Sequence, residues 1–238
     1  MWAQFMNTQY SIHACLHAIH ANRRFAFTNM NYLSLSGECR TLKVIEKSKF
    51  ITTSAHVEGE DAARAFIASI SKEFADATHN CYAYICDSTG NFLRFSDDGE
   101  PSGTAGMPML EVLKAKKLVQ VAVVVTRYFG GIKLGAGGLV RAYSGSVAEN
   151  LNEAKLVSYE ECAEGEYSVD YSLAEPAKRY FSQNDCSLIN TAYDSGVTFT
   201  VAVRAAEEAA FDGALINALN GKVKISPKRR YHFPFELV

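Results

Sequence analysis

The sequence predicts an α+β fold in two units, and three observations support this. Short apolar runs with strand-like alternation are interspersed with segments of helical periodicity from residue 38 onward. The run Leu118–Val125 is apolar and β-branched, with a length typical of a buried strand. The C-terminal third follows the order strand, helix, strand, strand, helix, strand, which is characteristic of α+β domains.

Composition narrows the functional classes. The 238 residues suffice for one large domain or two ordinary ones, and 48% hydrophobic with 21% charged residues predicts a folded soluble protein. The net charge of −2 provides no global field for nucleic acid, so a polyanion site would have to be a local patch. Six scattered cysteines without a CxxC pair indicate reduced thiols in the cytoplasm, and no apolar stretch is long enough to span a membrane.

The first 37 residues differ from the rest because Met1–Gly37 contains no Asp or Glu. We interpret this segment as a leader that is disordered or not native to the protein, with Met30 as an internal start. His13, His17 and His20 follow helical spacing, which leaves a metal site as an alternative for this segment.

The first unit is predicted over residues 38–156. Its first helix carries acidic residues in the opening turn, where the helix dipole favours them, and its second begins near Thr104, a plausible N-cap. The predicted elements are strands at Arg40–Glu46 and Lys49–Val57, a helix from Gly59, strands at His79–Cys86 and Phe92–Ser96, a helix from Gly103–Gly106, the strand Leu118–Val125, and a helix ending near Ala154.

Two glycine-rich segments flank the strand Leu118–Val125. The first glycine segment is Phe95–Pro108 and the second is Thr126–Tyr143, and each runs into a helical pattern. Backbone amides at helix starts bind anions, and glycine allows a ligand to approach the backbone closely. The candidate anion- or nucleic-acid-binding residues here are Gly103, Thr104, Gly106, Arg127, Gly130, Gly131, Lys133, Gly135, Gly137, Gly138 and Arg141.

The glycines also have a structural interpretation, which is tight packing of loops against a sheet. The run GIKLGAGG is not a Walker A sequence because no GK[ST] closes it, and GAGGLV matches only part of a dinucleotide fingerprint. The three cations Arg127, Lys133 and Arg141 favour an anion over packing alone, since phosphate or carboxylate recognition uses such clusters.

Three carboxylates, Asp97, Asp98 and Glu100, precede the helix of the first glycine segment. They could hold Mg²⁺, which prefers oxygen donors, or supply a general base. The alternative is that acidic residues are favoured in a turn and at a helix N-terminus. The sequence therefore leaves open whether the protein is an enzyme, and Mg²⁺ is a candidate cofactor only.

The second unit is predicted over residues 164–238, with the boundary within Lys155–Gly165. The element order is that of the ferredoxin-like split β-α-β motif. Its predicted elements are strands at Glu166–Tyr171, Ser187–Tyr193, Val197–Arg204 and Val223–Phe233, and helices at Leu173–Asn184 and Ala205–Leu219.

The last strand is basic. Lys228, Arg229 and Arg230 lie beside aromatic residues, a combination that binds RNA through phosphate contacts and stacking. A solvated edge strand protected by charged residues is the alternative.

The two glycine segments together resemble the IMPACT family in its bacterial YigZ-like branch. The matching stretches are FSDDGEPSGTAGMPML at Phe95–Leu110 and VVVTRYFGGIKLGAGGLVRAY at Val123–Tyr143. The resemblance extends from Glu38 to the C-terminus. It implies an N-terminal domain similar to the second domain of a small-subunit ribosomal protein, and a ferredoxin-like C-terminal domain similar to the last domain of elongation factor G.

The resemblance also implies a connection to translation. Eukaryotic members regulate translation by competing for an activator of a stress-responsive kinase, through an additional domain that the matching stretches do not include. We therefore expect a translation-associated regulator that binds RNA or the ribosome through the glycine segments and the basic strand. The alternatives are a Mg²⁺-dependent enzyme or binding protein for a phosphorylated small molecule or nucleotide, and a protein-interaction module. No membrane partner is expected.

Overall fold

The computed structural model describes residues 31–237 and contains two five-stranded antiparallel sheets with five α-helices in this range, which confirms the predicted α+β class. In chain order the elements are β1 (Tyr32–Leu35), β2 (Cys39–Ile45), β3 (Ser48–His56), α1 (Gly59–Glu73), β4 (His79–Ile85), β5 (Leu93–Ser96), α2 (Gly106–Ala115), β6 (Val121–Tyr128), α3 (Gly135–Glu153), β7 (Leu156–Val169), α4 (Ala174–Gln183), β8 (Cys186–Tyr193), β9 (Val197–Arg204), α5 (Glu208–Ala218) and β10 (Lys224–Glu236).

The first sheet has the strand order β2-β3-β6-β4-β5. Its central strand, β6, is buried at every position from Val121 to Arg127 because helices cover both faces. The helices α2 and α3 pack on one face around Phe50, Met109 and Tyr143, and α1 packs on the other around Ala63. A near-continuous apolar strand is expected where both faces are covered.

The second sheet has the order β10-β7-β9-β8, with β1 beside the N-terminal half of β7. Its core, around Phe181, Phe199 and Leu215, is covered by α4 and α5. The elements β7, α4, β8, β9, α5 and β10 reproduce the predicted β-α-β-β-α-β order. The closer resemblances to a ribosomal protein and to elongation factor G stay predictions.

The start of the described chain differs from the leader interpretation. Residues 32–35 form β1, which pairs with β7 over Tyr32↔Tyr159 to Leu35↔Leu156, and both Ser34 and Leu35 are fully buried. The sequence does not predict this strand because it is only four residues long and lies within the segment without carboxylates. The histidine-based metal alternative at residues 13–20 lies outside the described residues.

The residues expected to contain the boundary between the units, 155–165, are largely strand. β7 runs without interruption from Leu156 to Val169, and β10 pairs with it from Glu236↔Val157 to Lys224↔Ser168. The division into units at residues 38–156 and 164–238 remains a prediction, and the two are joined by a continuous strand. No helix among the described residues is long and apolar enough to cross a membrane.

Candidate functional site

The two glycine segments connect the first sheet to neighbouring helices. The first joins β5 to α2 and the second joins β6 to α3, and these two helices pack against each other on one face of the sheet. The sequence therefore predicted correctly that two helix starts follow the glycine segments. The two helix starts differ in how their amides are used.

At the start of α2 the backbone amides are occupied by Asp97. One carboxylate oxygen accepts hydrogen bonds from the N–H groups of Ala105 and Gly106 at 3.0 and 2.8 Å, and the other accepts from Gly103 at 2.8 Å. Burial alone would raise the pKa of Asp97, but these three donors outweigh burial and hold it below its usual value. The chain itself thus supplies the anion that this helix start attracts.

The predicted cap Thr104 has a different role. Its hydroxyl donates to the carbonyl of Pro101 at 2.6 Å, and α2 begins two residues later, at Gly106.

Asp98 is likewise engaged within the protein, because its carboxylate accepts the N–H of Asn80 at 2.6 Å. The carbonyl of Asp98 lies 2.7 Å from Nδ1 of His79.

Glu100 forms a buried ion pair with Arg127. The guanidinium Nη1 lies 2.6 Å from Oε1 of Glu100, and the two side chains are only 6% and 3% exposed. The hydroxyl of Tyr143 donates to the same oxygen at 2.8 Å. A buried pair needs such additional bonds to offset desolvation. Arg127, predicted to bind an anion from outside, is therefore engaged with the chain's own carboxylate.

Ser48 joins this pair to the second glycine segment. Its hydroxyl accepts the N–H of Gly130 at 3.1 Å and a bond from Nη2 of Arg127 at 3.4 Å. Cys81 lies beside the same network and donates to the hydroxyl of Tyr143 at 3.4 Å. Burial raises the pKa of Cys81 to about 12, so its thiol stays protonated at neutral pH and is a poor nucleophile.

The glycines of the two segments differ in what surrounds them. At Gly106 and Gly130 an added Cβ would lie 2.8 Å from Ser96 backbone atoms and 2.1 Å from the carbonyl carbon of Lys47, so these two permit close packing of the chain. Gly103, Gly131 and Gly135 have positive φ and open space around them. Gly137 and Gly138 lie in the first turn of α3.

The start of α3 is open, unlike that of α2. Neither helix has a side-chain cap or an acidic residue in its first turn, but no side chain among residues 31–237 accepts the first amides of α3 as Asp97 accepts those of α2. Lys133 and Arg141 are exposed beside it, and neither forms an ion pair with any residue in 31–237. Nη1 of Arg141 lies 3.9 Å from the position of a Cβ on Gly137, so the guanidinium flanks the first turn. We call Lys133, Arg141 and the amides of Gly135–Gly138 the α3 surface.

The C-terminal basic strand is neutralised by carboxylates. Lys228 pairs with Glu166 at 2.9 Å, Arg229 with Glu164 at 3.0 Å, and Arg230 with Glu208. Glu164 is buried, which by itself raises its pKa, but the bonds from Arg229 and from the Tyr231 hydroxyl lower it overall. These cations primarily hold β10 to its own domain, although all three are solvent-exposed.

The magnesium alternative receives no support from this geometry. Asp97, Asp98 and Glu100 each accept bonds from protein donors, and within residues 31–237 no group of three or more His, Cys, Asp or Glu side chains is placed to hold a metal ion. Neither Ser48 nor Tyr143 is among the site residues predicted from the sequence. No local motif identifies either residue as part of the network.

Comparison with family models divides the chain in two. Residues 46–151 match the Impact N-terminal domain, and residues 168–222 match a domain of unknown function, DUF1949. Among curated relatives, the IMPACT family member YvyE of Bacillus subtilis is 43% identical over 182 residues, covering 76% of this chain and 84% of YvyE. The IMPACT family member YigZ of Escherichia coli is 38% identical over 183 residues, covering 76% and 90%.

A solved structure supports the same grouping. The crystal structure of a hypothetical protein aligns with 84% of this chain and 98% of its own, at 35% sequence identity and a TM-score of 0.53. This likeness extends across both sheets of the molecule.

Proposed function

The chain belongs to the IMPACT family, in the bacterial branch of YvyE and YigZ, and on that premise we propose that it is a cytoplasmic protein that binds RNA on the ribosome through the α3 surface. The observation that carries the proposal is the pair of exposed cations, Lys133 and Arg141, beside a helix start whose first amides are not bonded by any described carboxylate. Phosphate groups bind at such helix starts, and the adjacent cations add to the attraction.

The other predicted anion-binding groups are already bonded within the protein, which leaves the α3 surface as the proposed RNA site. The amides at the start of α2 are bonded to Asp97, Arg127 is buried against Glu100, and the basic residues of β10 pair with carboxylates. With a net charge of −2, RNA binding would depend on a local patch. The α3 surface is such a patch, and its cations are not neutralised by the described chain.

The ribosome is the proposed source of the RNA because the family resemblance implies a role in translation. The expected similarities of the two units to a ribosomal protein domain and to a domain of elongation factor G are consistent with this source. Both remain predictions.

The proposal predicts that charge reversal on the α3 surface weakens RNA binding. We expect Lys133→Glu with Arg141→Glu to lower RNA affinity about tenfold or more and to reduce the slope of log affinity against log salt by about 1.4, since each lost phosphate contact on a single strand contributes about 0.7. Fluorescence anisotropy with a ribosomal RNA fragment at several salt concentrations measures both quantities. Co-sedimentation with ribosomes at low and high salt measures the association itself.

The matched control is Lys72→Glu with Arg179→Glu. These residues are also an exposed lysine and an exposed arginine without ion pairs among residues 31–237, but they lie on α1 and α4. This variant changes the net charge by the same amount and should bind RNA nearly as wild type does. Equal affinities for both double variants, or no co-sedimentation of the wild-type protein at low salt, would contradict the proposal.

A further inference from the structure

The second sheet ends in an exposed strand, β8. One side of β8 is hydrogen-bonded to β9, and no strand within residues 31–237 pairs with its other side. Five of its eight positions are exposed, and the large apolar residues among them are Leu188, Ile189 and Tyr193, at 45%, 43% and 61%. The backbone N–H and C=O groups along this outer side can therefore receive a further strand.

β8 lacks the features that usually protect a sheet edge. Its sequence, CSLINTAY, contains no charged residue and no proline, although 21% of the chain is charged. The other exposed edge strands of the described chain are protected, since β2 contains Arg40 and Lys43, β5 contains Arg94, and β10 contains four cations and two prolines. β1 is also uncharged, but it has only four residues and none of them is exposed.

The register of β8 with β9 places Leu188 and Tyr193 on the same face of the sheet. Their β9 partners are Val201 and Val197, which are fully buried in the core beneath α4 and α5. Two residues five positions apart on a regular strand would point to opposite faces. A bulge at Ile189 removes this difference, because the register of β8 against β9 shifts there by one residue.

This arrangement makes β8 complementary to an antiparallel copy of itself. With Thr191 on the two-fold axis, Leu188 of one molecule lies opposite Tyr193 of the other. Asn190 then lies opposite Ala192, and both project from the other face of the sheet. Each opposing pair thus shares a face, and the aliphatic–aromatic pair of Leu188 with Tyr193 forms twice by symmetry.

The charge pattern indicates a second copy as the occupant of this edge. A two-fold contact brings residues near the axis close to their own counterparts, so like charges oppose it, and β8 contributes none. At the ends of the strand, Asp185 forms an ion pair with Arg204, and Asp194 would face the uncharged Ser187 of the other molecule. Two copies of β2, by contrast, would bring its cations together.

We propose that β8 pairs with β8 of a second copy of this chain, antiparallel and centred on Thr191, so that one sheet continues through a two-fold dimer. The inference does not rest on RNA binding, because β8 belongs to the second sheet and the α3 surface to a helix on the first. A contact built on one pair of strands is small, so the dimer should dissociate on dilution.

Sedimentation velocity of the full chain over about 1–100 µM tests the pairing. We expect the wild-type mass to rise from that of a monomer toward that of a dimer across this range. Thr191→Lys should remain monomeric throughout, because its two lysines would lie opposite each other. The matched control is Leu42→Lys, which adds the same charge at a 59% exposed position on β2 and should dimerise as wild type does.

A mixture of two charged variants separates pairing from misfolding. Thr191→Glu alone should be monomeric for the same reason as Thr191→Lys. An equimolar mixture of the two should dimerise again, because opposite charges then face each other across the axis. Recovery in the mixture would show that both variants are folded.

Thr191→Cys provides a second, covalent measurement. Residues directly opposite in an antiparallel pair have Cα atoms about 4.5–5.5 Å apart, within the range of about 4.4–6.8 Å for a disulfide. Mild oxidation should therefore link two Thr191→Cys chains, seen as a dimer on a non-reducing gel. Wild type and Leu42→Cys measure the background from the native cysteines and from an exposed thiol on another edge.

The outcomes decide the proposal. A wild-type chain that is monomeric at about 100 µM would overturn it and leave β8 free for a strand of another protein. A dimer that Thr191→Lys does not weaken, with no disulfide in Thr191→Cys, would place the contact elsewhere and overturn it equally. Loss of the dimer in both charged variants, with recovery in their mixture, supports the pairing of β8 with β8.

Discussion

At Gly130 the chain passes against the turn between β2 and β3, where a Cβ would lie 2.1 Å from the carbonyl carbon of Lys47 and 2.5 Å from the nitrogen of Ser48. Those neighbours are backbone atoms and cannot move aside as a flexible side chain would. We expect Gly130→Ala to lower the free energy of unfolding by about 1–3 kcal/mol or more, measured by urea denaturation.

Gly213 provides the comparison for that substitution. It lies within α5 with no atom within 4 Å of an added Cβ, so Gly213→Ala should raise the free energy of unfolding by about 0.4–1 kcal/mol. If the alanine variants at positions 130 and 213 were equally stable, the close approach at Gly130 would not affect the free energy of unfolding.

Asp97 predicts a stability effect that depends on pH. Its pKa is lower in the folded protein than in the unfolded chain, so its contribution to stability is fully present above the unfolded value of about 3.9 and is lost as pH falls through the folded pKa. Asp97→Asn keeps the shape but removes the charge and one acceptor. We expect it to cost about 1–3 kcal/mol at pH 7 and distinctly less at pH 3.

Urea denaturation of wild type and variant at both pH values measures this effect. Asp170→Asn changes an exposed aspartate whose side chain caps no helix, and it should alter stability little at either pH. A deficit in Asp97→Asn that is the same at pH 3 and pH 7 would show that the carboxylate charge is not what holds the start of α2.

At the scale of elements, the strands with clear alternation were predictable and the charged strand was not. β9 was predicted at Val197–Arg204, its observed range, because large apolar residues alternate with small or polar ones along the sequence VTFTVAVR. β7 was predicted only from Glu166, because the boundary between the two units was placed within Lys155–Gly165. In the structure Glu160 pairs with Arg204 and Glu164 with Arg229, so these carboxylates are neutralised across the sheet.

The candidate site was predictable as a region but not in its details. The glycine segments and their helix starts follow from local pattern, whereas the direction of each charged side chain depends on the tertiary fold. Arg127 and Lys133 look equivalent in the sequence, yet one is 5% exposed within β6 and the other lies in solvent. Likewise, only the folded chain brings Asp97 to the amides of Ala105 and Gly106.

β1 allows a test of how a short strand contributes to stability. Leu35 is fully buried in the core of the first sheet, although β1 pairs with β7 of the second. We expect a chain that starts at Gly37 to melt about 3–12 °C below one that starts at Met30, because burial of one leucine contributes about 1.5–3 kcal/mol and each kcal/mol corresponds to about 2–4 °C here. Equal melting temperatures by calorimetry would show that β1 is dispensable.

At the scale of the whole molecule, β1 and β7 make the two sheets interdependent. β7 follows α3 after only two residues, and the N–H of Ser36 donates to the carbonyl of Lys155 at 3.0 Å. Leu33 packs against the core of the first sheet while its strand extends the second. The α3 surface therefore rests on a helix whose far end is anchored in both sheets, which favours a rigid platform for a ligand.

The pairing of β1 with β7 also has a consequence for synthesis of the chain. Tyr32 lies opposite Tyr159, so β1 leaves the ribosome well over a hundred residues before its partner strand exists. At about 5–20 residues per second this delay is roughly 6–25 s. The strands β2 to β6 can assemble during that interval, whereas Leu33 and Leu35 cannot yet pair with β7. The earliest described strand is thus among the last to be paired, and nascent-chain capture would find it exposed longest.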